Sequence, residues 1–559
     1  LRKMKKAIPV IIAVVLIFVI IAITFGMKVV DRFSYSEERM DLNEYFSLAA
    51  DDEAALVLNN EIREEKGVVR DGRCYLSLET VHTYLNDRFY ADYNENWLLY
   101  TTPDEIIYAQ AGETGEDGYV PAYLEDGVMY VALDYVKKYT NFSYTLYTEP
   151  NRVVMTTVWD EHSVADIKRN TAVRYQGGIK SDILTEAAAG DKVTVLEKME
   201  TWSEVVTQDG FIGYVENKRL ENERSETLIP VTDYVEPEYT SIHRDYKISL
   251  GWHQVTSEAA NSTLSEVLEG VSGMNVISPT WFFLSDNDGN FASIGSSSYV
   301  QEAHDRGLEV WALVDNFTYD VDTKAILSYT SKRQKLIEGL INEALSLGVD
   351  GINVDFEQVP GDAGEDYIEF LRELSIPCRA NGLVLSVDNY VPRGYNSHYH
   401  WKEQGIVADY VIIMGYDEHY GGSQEVGSVA SINYVEEGIS TMVQYVPAEK
   451  VINAVPFYTR IWETTSEGVK SQAVGMTAAE DFLAQRGVEA VWDETTCQNY
   501  AQLEENGALF QVWLEDEESL QVKINVMKEY GIGGLAAWKL GYESGHPEVW
   551  TVISDFVNG

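Results

Sequence analysis

Cysteine and histidine are scarce in this 559-residue chain, which has three of the first and nine of the second. Cys74, Cys378 and Cys497 lie far apart and are odd in number, so they predict neither a disulfide framework nor a zinc site. We expect them to be small buried side chains. The nearest approach to metal-ligand spacing is His398-x-His400, which we interpret as part of a loop. The sequence therefore predicts no metal and no cofactor.

Positive charge is also in short supply. The chain has 42 Lys and Arg against 90 Asp and Glu, a formal net charge of −48. Nucleic acid is a poor partner for such a chain, because phosphate binding needs basic side chains to displace counterions. An anionic membrane surface is equally unsuited to most of the chain. With 45% hydrophobic residues, a chain of this length is expected to fold into several domains with real cores.

One long apolar run, from Ala7 to Met27, follows basic residues at positions 2, 3, 5 and 6. As a helix it is long enough to cross the ~30 Å hydrocarbon layer, and the basic flank places the N-terminus inside. A cleaved signal peptide is the alternative, but the run exceeds the usual ~7–15 residues and no Ala-x-Ala site follows. We predict that residues 1–28 are a single-pass anchor in the cell membrane, with the rest of the chain outside the cytoplasm.

The segments that follow differ in pattern. Residues 29–54 are polar and acidic and predict a tether. Residues 55–160 contain short β-like runs broken by turns and helical stretches, which predicts a small α+β stalk module. Residues 164–222 contain short alternating strands joined by Gly and Asp turns, the pattern of a small all-β barrel. A polar linker is expected over 223–243.

Strand and helix patterns alternate over residues 244–559, which predicts a parallel sheet and, with eight strands, a TIM (β/α)8 barrel. The alternation lapses between Trp462 and Leu509, where we expect a small α+β insertion after strand seven. The eight strands are predicted at Lys247–Trp252, Asn275–Phe283, Leu308–Val314, Val349–Glu357, Leu383–Asn389, Tyr410–Tyr416, Val451–Tyr458 and Gly534–Trp538.

The fourth strand carries the most informative motif, Asp350-Gly-Ile-Asn353-Val-Asp355-Phe-Glu357. Alternation places Asn353, Asp355 and Glu357 on one face. A half-solvated antiparallel strand would give the same alternation, but helical patterns precede and follow this strand. The polar face should then point into a barrel, with Glu357 at the C-terminal end where barrel enzymes place their chemistry.

This motif resembles the Asp-Gly-x-Asp/Asn-x-Asp-x-Glu signature on the fourth barrel strand of glycoside hydrolase family 18, the chitinase-like enzymes. Within the family it is most similar to the bacterial spore-cortex and cell-wall N-acetylglucosaminidases. The resemblance implies a retaining glycosidase that uses the 2-acetamido group of its own substrate as nucleophile. It assigns Glu357 as proton donor, with Asp355 and Tyr416 holding the acetamido group.

The same resemblance implies a set of substrate-binding residues on the fourth strand and at the ends of the strands that follow it. Many family members have Asp where this chain has Asn353, which can hydrogen-bond Asp355 but cannot share its proton, so the pH profile is open. Trp252 and Trp281 could also line the groove. The implied substrate-binding residues are Asp350, Asn353, Asn389, Met414, Asp417, Tyr458, Arg460 and Trp538.

Two further resemblances concern the N-terminal modules. Residues 164–222 resemble bacterial SH3-like domains, which either bind peptidoglycan peptides or serve as spacers. Residues 55–160 resemble the small module at the N-terminus of copper amine oxidases, without implying copper. The leading hypothesis is a surface enzyme that cleaves N-acetylglucosamine-containing polysaccharide in cell-wall or spore remodelling. An extracellular chitinase and a non-catalytic glycan-binding scaffold are the alternatives.

Overall fold

The computed structural model describes the backbone of residues 4–230 and 232–559 and the side chains from residue 10 onward, and it divides into two units. The first unit contains the residues up to Phe89 together with Ala109–Glu236. The second unit contains Tyr90–Tyr108 and Pro237–Gly559. The second unit therefore takes in a short piece of the region expected to be a stalk.

The first unit begins with helix α1 (Met4–Phe33). Its part from Val10 to Phe33 is long and apolar enough to cross a membrane, and none of its most apolar window is buried within the protein. Its length and its apolar composition are the features that indicate a membrane span.

The segment after α1, expected to be a tether, is instead partly folded. Helix α2 (Leu42–Phe46) begins at the capping side chain of Asp41. Ahead of it, Met40 N donates to Ile183 O at 3.0 Å and Ile183 N donates to Glu38 O at 2.8 Å. The tether prediction is wrong here because the acidic stretch contains apolar side chains that pack: Phe46 is 1% exposed.

The N-terminal module combines short strands and helices, as predicted. Seven strands form one sheet in the order β7-β8-β3-β2-β1-β10-β9, and β4-β5-β6 form a second, small sheet. The elements are β1 (Glu53–Leu58), β2 (Glu61–Arg70), β3 (Arg73–Ser77), α3 (Leu78–Tyr84), β4 (Phe89–Asp92), β5 (Trp97–Thr101), β6 (Ile106–Gln110), β7 (Ala122–Glu125), β8 (Val128–Ala132), α4 (Leu133–Val136), β9 (Ser143–Tyr147) and β10 (Arg152–Thr156).

The small all-β barrel is present as a seven-stranded sheet ordered β13-β12-β16-β15-β14-β11-β17. Its core contains Ile167, Val173, Val193, Val205 and Val215. The strands are β11 (Glu161–Ile167), β12 (Thr171–Arg174), β13 (Ile183–Ala187), β14 (Lys192–Lys198), β15 (Trp202–Val206), β16 (Ile212–Glu216) and β17 (Leu220–Thr227).

The second unit is built on a closed barrel of eight parallel strands, which confirms the predicted TIM barrel. The ring runs β18-β19-β21-β22-β23-β24-β25-β31 and closes where β31 pairs with β18. All eight predicted strands are found. The strands of this sheet are β18 (Ile248–His253), β19 (Val276–Leu284), β20 (Phe291–Ser293, an antiparallel addition), β21 (Glu309–Asp315), β22 (Gly351–Asp355), β23 (Val384–Tyr390), β24 (Tyr410–Met414), β25 (Val451–Pro456) and β31 (Gly534–Trp538).

Helices surround the ring, and an insertion follows the seventh barrel strand as expected. The insertion is an antiparallel sheet, ordered β27-β26-β30-β29-β28, with one helix. Its elements are β26 (Tyr458–Thr465), β27 (Gly468–Gly475), α12 (Met476–Ala484), β28 (Val491–Asp493), β29 (Gln498–Glu505) and β30 (Ala508–Trp513). The other helices are α5 (Leu264–Val267), α6 (Ser297–Asp305), α7 (Thr323–Leu327), α8 (Thr330–Leu347), α9 (Gly364–Asn381), α10 (Trp401–Val407), α11 (Ile432–Met442), α13 (Glu517–Tyr530) and α14 (Pro547–Asn558).

Apolar side chains fill the barrel in two layers. The outer layer joins strands to helices, while Leu250, Trp252, Trp311 and Tyr410 belong to a separate cluster inside the ring. Because β22 is buried along its whole length, its inward polar side chains stand in a frame that is packed on both faces. This packing fixes the site described below.

Residues 90–108 pack on α8 and α9 through buried polar groups. Arg333 of α8 and Glu373 of α9 form an ion pair of 2.9 Å, and both side chains are inaccessible to solvent. The Arg333 guanidinium also donates to the Tyr90 hydroxyl at 3.0 Å, and Tyr90 donates to Asp366 at 2.6 Å. Thr101 donates to Glu369 of α9 at 2.6 Å. Tyr90 and Thr101 of this segment therefore form hydrogen bonds with charged side chains that α8 and α9 bury.

Replacing Arg333 with Leu is expected to lower the free energy of unfolding by about 3–5 kcal/mol, because Glu373 would stay buried without its cation. The matched control is Arg393→Leu, whose pair with Glu437 is exposed and should cost under about 1 kcal/mol. Urea denaturation followed by circular dichroism measures both variants. Equal losses for the two variants would contradict this account of the buried pair.

Candidate active site

The polar residues of the fourth barrel strand meet at its C-terminal end. Asp355 is the last residue of β22, and Glu357 follows two residues later. The Glu357 N–H donates to the Asn316 side-chain oxygen at 2.9 Å, and the Asn316 amide donates back to the Glu357 carbonyl at 2.8 Å. Asn316 lies just after β21, so the neighbouring strand end fixes the backbone that presents the Glu357 carboxyl.

The Glu357 carboxyl is half-buried and accepts a hydrogen bond from the Tyr390 hydroxyl at 2.6 Å. Burial raises the pKa of Glu357 above its ordinary value, and the charges of Asp417 and Asp315 raise it further. The Tyr390 hydrogen bond opposes this by lowering the pKa. Glu357 therefore holds its proton to higher pH than an ordinary glutamate, as a general acid must.

Asp355 is more deeply placed than Glu357. Its side chain is 7% exposed, and its Oδ1 atom has no hydrogen-bond partner in the described part of the protein. Burial raises the pKa of Asp355 well above the usual range, and the nearby carboxyls of Asp388, Glu357 and Asp315 add to the effect. An unpartnered buried carboxyl oxygen in this position is available for a ligand group.

Asn353 does not make the expected contact with Asp355. Its side-chain oxygen accepts from Trp252 Nε1 at 2.9 Å and from the Ser278 hydroxyl at 3.1 Å. Its amide donates to Asp388 Oδ1 at 2.8 Å. Asn353 and Trp252 therefore lie in the buried layer inside the ring, and both support the site instead of lining it.

Strand β23 contributes two residues that sequence analysis missed, Asp388 and Tyr390. Asn389, predicted to bind substrate, is 1% exposed and exchanges hydrogen bonds with Gln404 of α10 at 2.7 and 3.1 Å. That prediction is wrong because Asn389 faces the surrounding helices, while its neighbours on either side face the barrel. The period-2 alternation of β23 would have indicated Asp388 and Tyr390.

The ends of the sixth and seventh strands bring a second group together. The Tyr458 hydroxyl donates to Asp417 Oδ1 at 2.6 Å, and the Arg460 guanidinium lies 3.9 Å from the same oxygen. The Tyr416 ring lies 6.2 Å from the Tyr458 ring, and Met414 is the buried last residue of β24. Burial raises the pKa of the Tyr416 phenol well above its usual value, with Asp355 the largest charge effect.

Trp538 completes the group of aromatic side chains at this end of the barrel. It is the last residue of β31, it is half-buried, and its ring lies 6.1 Å from that of Trp252. Tyr416 and Trp538 pack against the same inner cluster, and the charges of Asp355 and Glu357 act on the Tyr416 phenol.

Two predicted residues lie elsewhere. Asp350 precedes β22 at the opposite end from Glu357, where its Oδ2 atom accepts from Val310 N at 2.8 Å and contacts His304 at 2.8 Å. It ties the strand to α6 and β21 and is not a substrate contact. Trp281 is fully buried, and its indole N–H donates to Asn261 at 2.8 Å, so it cannot line a groove.

The described residues contain no group of three His, Cys, Asp or Glu side chains able to hold a metal ion. Cys74 and Cys378 are buried and Cys497 is half-buried, and all three are free thiols.

Comparison with protein families identifies two parts of the chain. Residues 283–543 match the model for glycosyl hydrolases family 18, and residues 169–221 match that for the bacterial SH3 domain. The first match includes Asp355, Glu357, Tyr416 and Trp538. The second covers most of the small all-β barrel.

Individual relatives match the barrel region. The chain is 29% identical over 248 residues to the cortical fragment-lytic enzyme of Bacillus anthracis, covering 43% of this chain and 56% of that protein. It is 25% identical over 284 residues to the uncharacterized glycosylase YvbX of Bacillus subtilis, covering 48% of this chain and 82% of the other. The chain thus spans little more than half the length of the Bacillus anthracis relative.

Solved structures share the fold. The spore cortex-lytic enzyme SleL of Bacillus cereus superposes with a TM-score of 0.51 at 23% identity, covering 59% of this chain and 78% of that one. A chitinase from Chromobacterium violaceum gives 0.50 at 21% identity, covering 56% and 99%. Both likenesses concern the barrel fold.

Replacing Tyr390 with Phe is expected to raise the pKa of Glu357, because it removes a hydrogen bond that stabilises the ionised carboxylate. Carbon-13 NMR titration of the glutamate carboxyls measures this, with Glu357→Gln identifying the resonance. Tyr395→Phe, at an exposed tyrosine, is the control and should leave the titration unchanged. A lower pKa in Tyr390→Phe would contradict the role given to this phenol.

Proposed function

We propose, from the membership of its barrel in glycoside hydrolase family 18, that this chain is a retaining glycosidase acting on β-linked N-acetylglucosamine-containing glycans. The observation that carries the proposal is the placement of Glu357 and Asp355 at the mouth of the barrel beside Tyr416. The Glu357 carboxyl is half-exposed and its pKa is raised by burial, while Asp355 is buried with an oxygen that has no hydrogen-bond partner among the described residues. This division suits a proton donor beside a group that stabilises charge.

Glu357 is the proton donor in this mechanism. Burial raises its pKa, so it keeps its proton to higher pH than an ordinary glutamate, and its half-exposed carboxyl can reach a glycosidic oxygen in the groove. As the bond from the anomeric carbon to that oxygen breaks, the oxygen takes the Glu357 proton and leaves as a hydroxyl. The resulting Glu357 carboxylate then removes a proton from the water that completes hydrolysis.

The second carboxyl cannot act as an opposed nucleophile, because Asp355 and Glu357 both come from the C-terminal end of β22 and do not flank the sugar from two sides. The substrate's own acetamido oxygen attacks the anomeric carbon instead and forms a cyclic oxazolinium cation. Asp355 accepts a hydrogen bond from the acetamido N–H through its free oxygen and stabilises the positive charge. The Tyr416 hydroxyl donates to the acetamido oxygen and orients it for attack.

The remaining groups at the strand ends hold the sugar. The half-buried ring of Trp538 forms the floor under the cleaved residue, since an indole face packs well on the apolar face of a pyranose. Tyr458, Asp417 and Arg460 form a connected polar wall that can hydrogen-bond sugar hydroxyls. Met414 is buried at the end of β24, two residues before Tyr416.

Cell-wall or spore peptidoglycan is the proposed substrate polymer, with chitin-like polymer as the second candidate. The relatives named cortical fragment-lytic enzymes support the first, and the relatives named endochitinases support the second. The SH3 domain suggests peptidoglycan peptides as a partner of the same chain. Its β13 edge is partly occupied by residues 38–40, so a peptide would have to use another face.

We also propose that α1 anchors the chain in the cell membrane as a single span with the catalytic barrel outside. Its apolar, solvent-exposed length and the basic flank before it support this orientation. The test is cell fractionation with protease added to intact cells. The barrel should sediment with membranes and be digested from outside, and a barrel protected inside the cell would contradict the orientation.

Glu357→Gln is expected to lower the turnover number by about 10²–10⁴, the usual contribution of a general acid, while glycan binding persists. Mass spectrometry of products from purified peptidoglycan and from N-acetylglucosamine oligomers measures turnover and identifies the polymer. Glu436→Gln, at an exposed glutamate on α11, is the matched control and should keep parent activity. Glycan binding by the parent without products from either polymer would instead identify a non-catalytic glycan-binding protein.

A further inference from the structure

Asp388 lies beside Asp355 on the neighbouring barrel strand. The parallel register of β22 and β23 pairs Asn353 with Ser386 and Val354 with Val387, so Asp355 and Asp388 come one residue further along. Neighbouring strands are about 4.8 Å apart. Both carboxyls face the barrel, and Asp388 is only 2% exposed. Two buried carboxyls therefore stand side by side under the proposed acetamido site.

Among the residues that the structure describes, no cationic side chain pairs with either carboxyl. Neither Asp355 nor Asp388 forms an ion pair with any residue that the structure describes, and the partner of Asp388 Oδ1 is the neutral amide of Asn353. The ionisable groups that influence the two carboxyls are themselves acidic. They are Glu357 and Asp315 and the phenols of Tyr416, Tyr367 and Tyr399.

Two neighbouring carboxylates in a low-dielectric site do not both ionise. Burial, with a smaller contribution from the charge of Glu357, raises the pKa of Asp388 to about 8, although the hydrogen bond from Asn353 acts to lower it. The hydrogen bond from Asn353 fixes one oxygen of Asp388 as an acceptor. The other oxygen is then the one that can carry a proton.

We propose that Asp388 is the proton partner of Asp355, so that the two carboxyls hold one proton and one negative charge between them. This inference rests on the proposed function, in which Asp355 meets a developing positive charge. When that charge forms, the O–H bond of Asp355 breaks and its proton bonds to a carboxylate oxygen of Asp388. Asp355 becomes the anion, and the proton returns once the oxazolinium ring has been hydrolysed.

Asp388 is a positioning residue in this scheme, because it acts through Asp355 and not on the sugar. The Asn353 amide donates a hydrogen bond to one oxygen of Asp388. The Asn353 side-chain oxygen in turn accepts hydrogen bonds from Trp252 and Ser278. The same two donors would hold an aspartate at position 353. A carboxylate moved there would stand two residues before Asp355 on the same strand face.

The test uses the full chain with Asp388→Asn, Asp388→Ala and the swap Asn353→Asp/Asp388→Asn. The two single variants are expected to lose about 10–100-fold in kcat, the equivalent of one charged hydrogen bond, with a smaller change in KM. Their pH profile of kcat should lose one ionisation. The swap should recover both the rate and the ionisation, which a merely structural role of Asp388 would not do. Folded single variants with the parent kcat and pH profile would overturn the proposal.

Infrared difference spectroscopy tests the shared proton without relying on activity. The parent is compared with the double variant Asp355→Asn/Asp388→Asn at neutral pH. The expected difference is one protonated carboxyl band and one carboxylate band. Two carboxylate bands, or two protonated bands, would overturn the shared proton. If the parent cleaves no glycan, the proposed function fails, whereas this spectrum still decides the protonation of the pair.

Discussion

The burial of carboxyl groups at the C-terminal end of the barrel is the constraint on which the site depends. Asp355 and Asp388 are almost fully buried, Glu357 is half-buried, and the described neighbours supply no cation to Asp355 or Asp388. Each negative charge in a buried site raises the free energy of the folded protein. These carboxyls therefore keep their protons to higher pH than carboxyls in water do. The barrel thereby obtains an acid and a charge-stabilising group from residues that would both be carboxylates in water.

The rigid frame makes this arrangement possible. Inward side chains of β18, β19, β22 and β23 form one hydrogen-bonded layer, in which Asn353 links Trp252 and Ser278 to Asp388. The hydrogen bonds that Asn353 makes hold its own side chain and that of Asp388 in single orientations. The unpartnered oxygen of Asp355 stands above this layer, and we interpret that exception as the place of the substrate's acetamido group.

Much of the barrel could be predicted from the sequence, because alternating strand and helix patterns fix a parallel sheet and the polar face of β22 fixes its mouth. The resemblance to the family also placed Glu357, Asp355 and Tyr416 together. The first residue of the β22 motif, Asp350, was wrongly predicted to bind substrate. It lies at the N-terminal end of the strand, whereas the site lies at the C-terminal end. Asn389 was wrongly predicted to bind substrate, because adjacent residues of a strand face opposite sides and Asn389 faces the helices. Asp388 was missed because it belongs to no recognised motif. Composition alone suggested a tether after α1, whereas a few apolar residues suffice to fold α2.

The central claim is that the substrate's acetamido group is the nucleophile, held by Asp355 while Glu357 supplies the proton. Proton NMR of the first products from N-acetylglucosamine oligomers tests it most directly, since the signal of the new anomeric proton shows its configuration before mutarotation. The account predicts that the β configuration is retained and that oligomers without the N-acetyl group are not cleaved. An α product, or equal cleavage of the deacetylated oligomers, would contradict it.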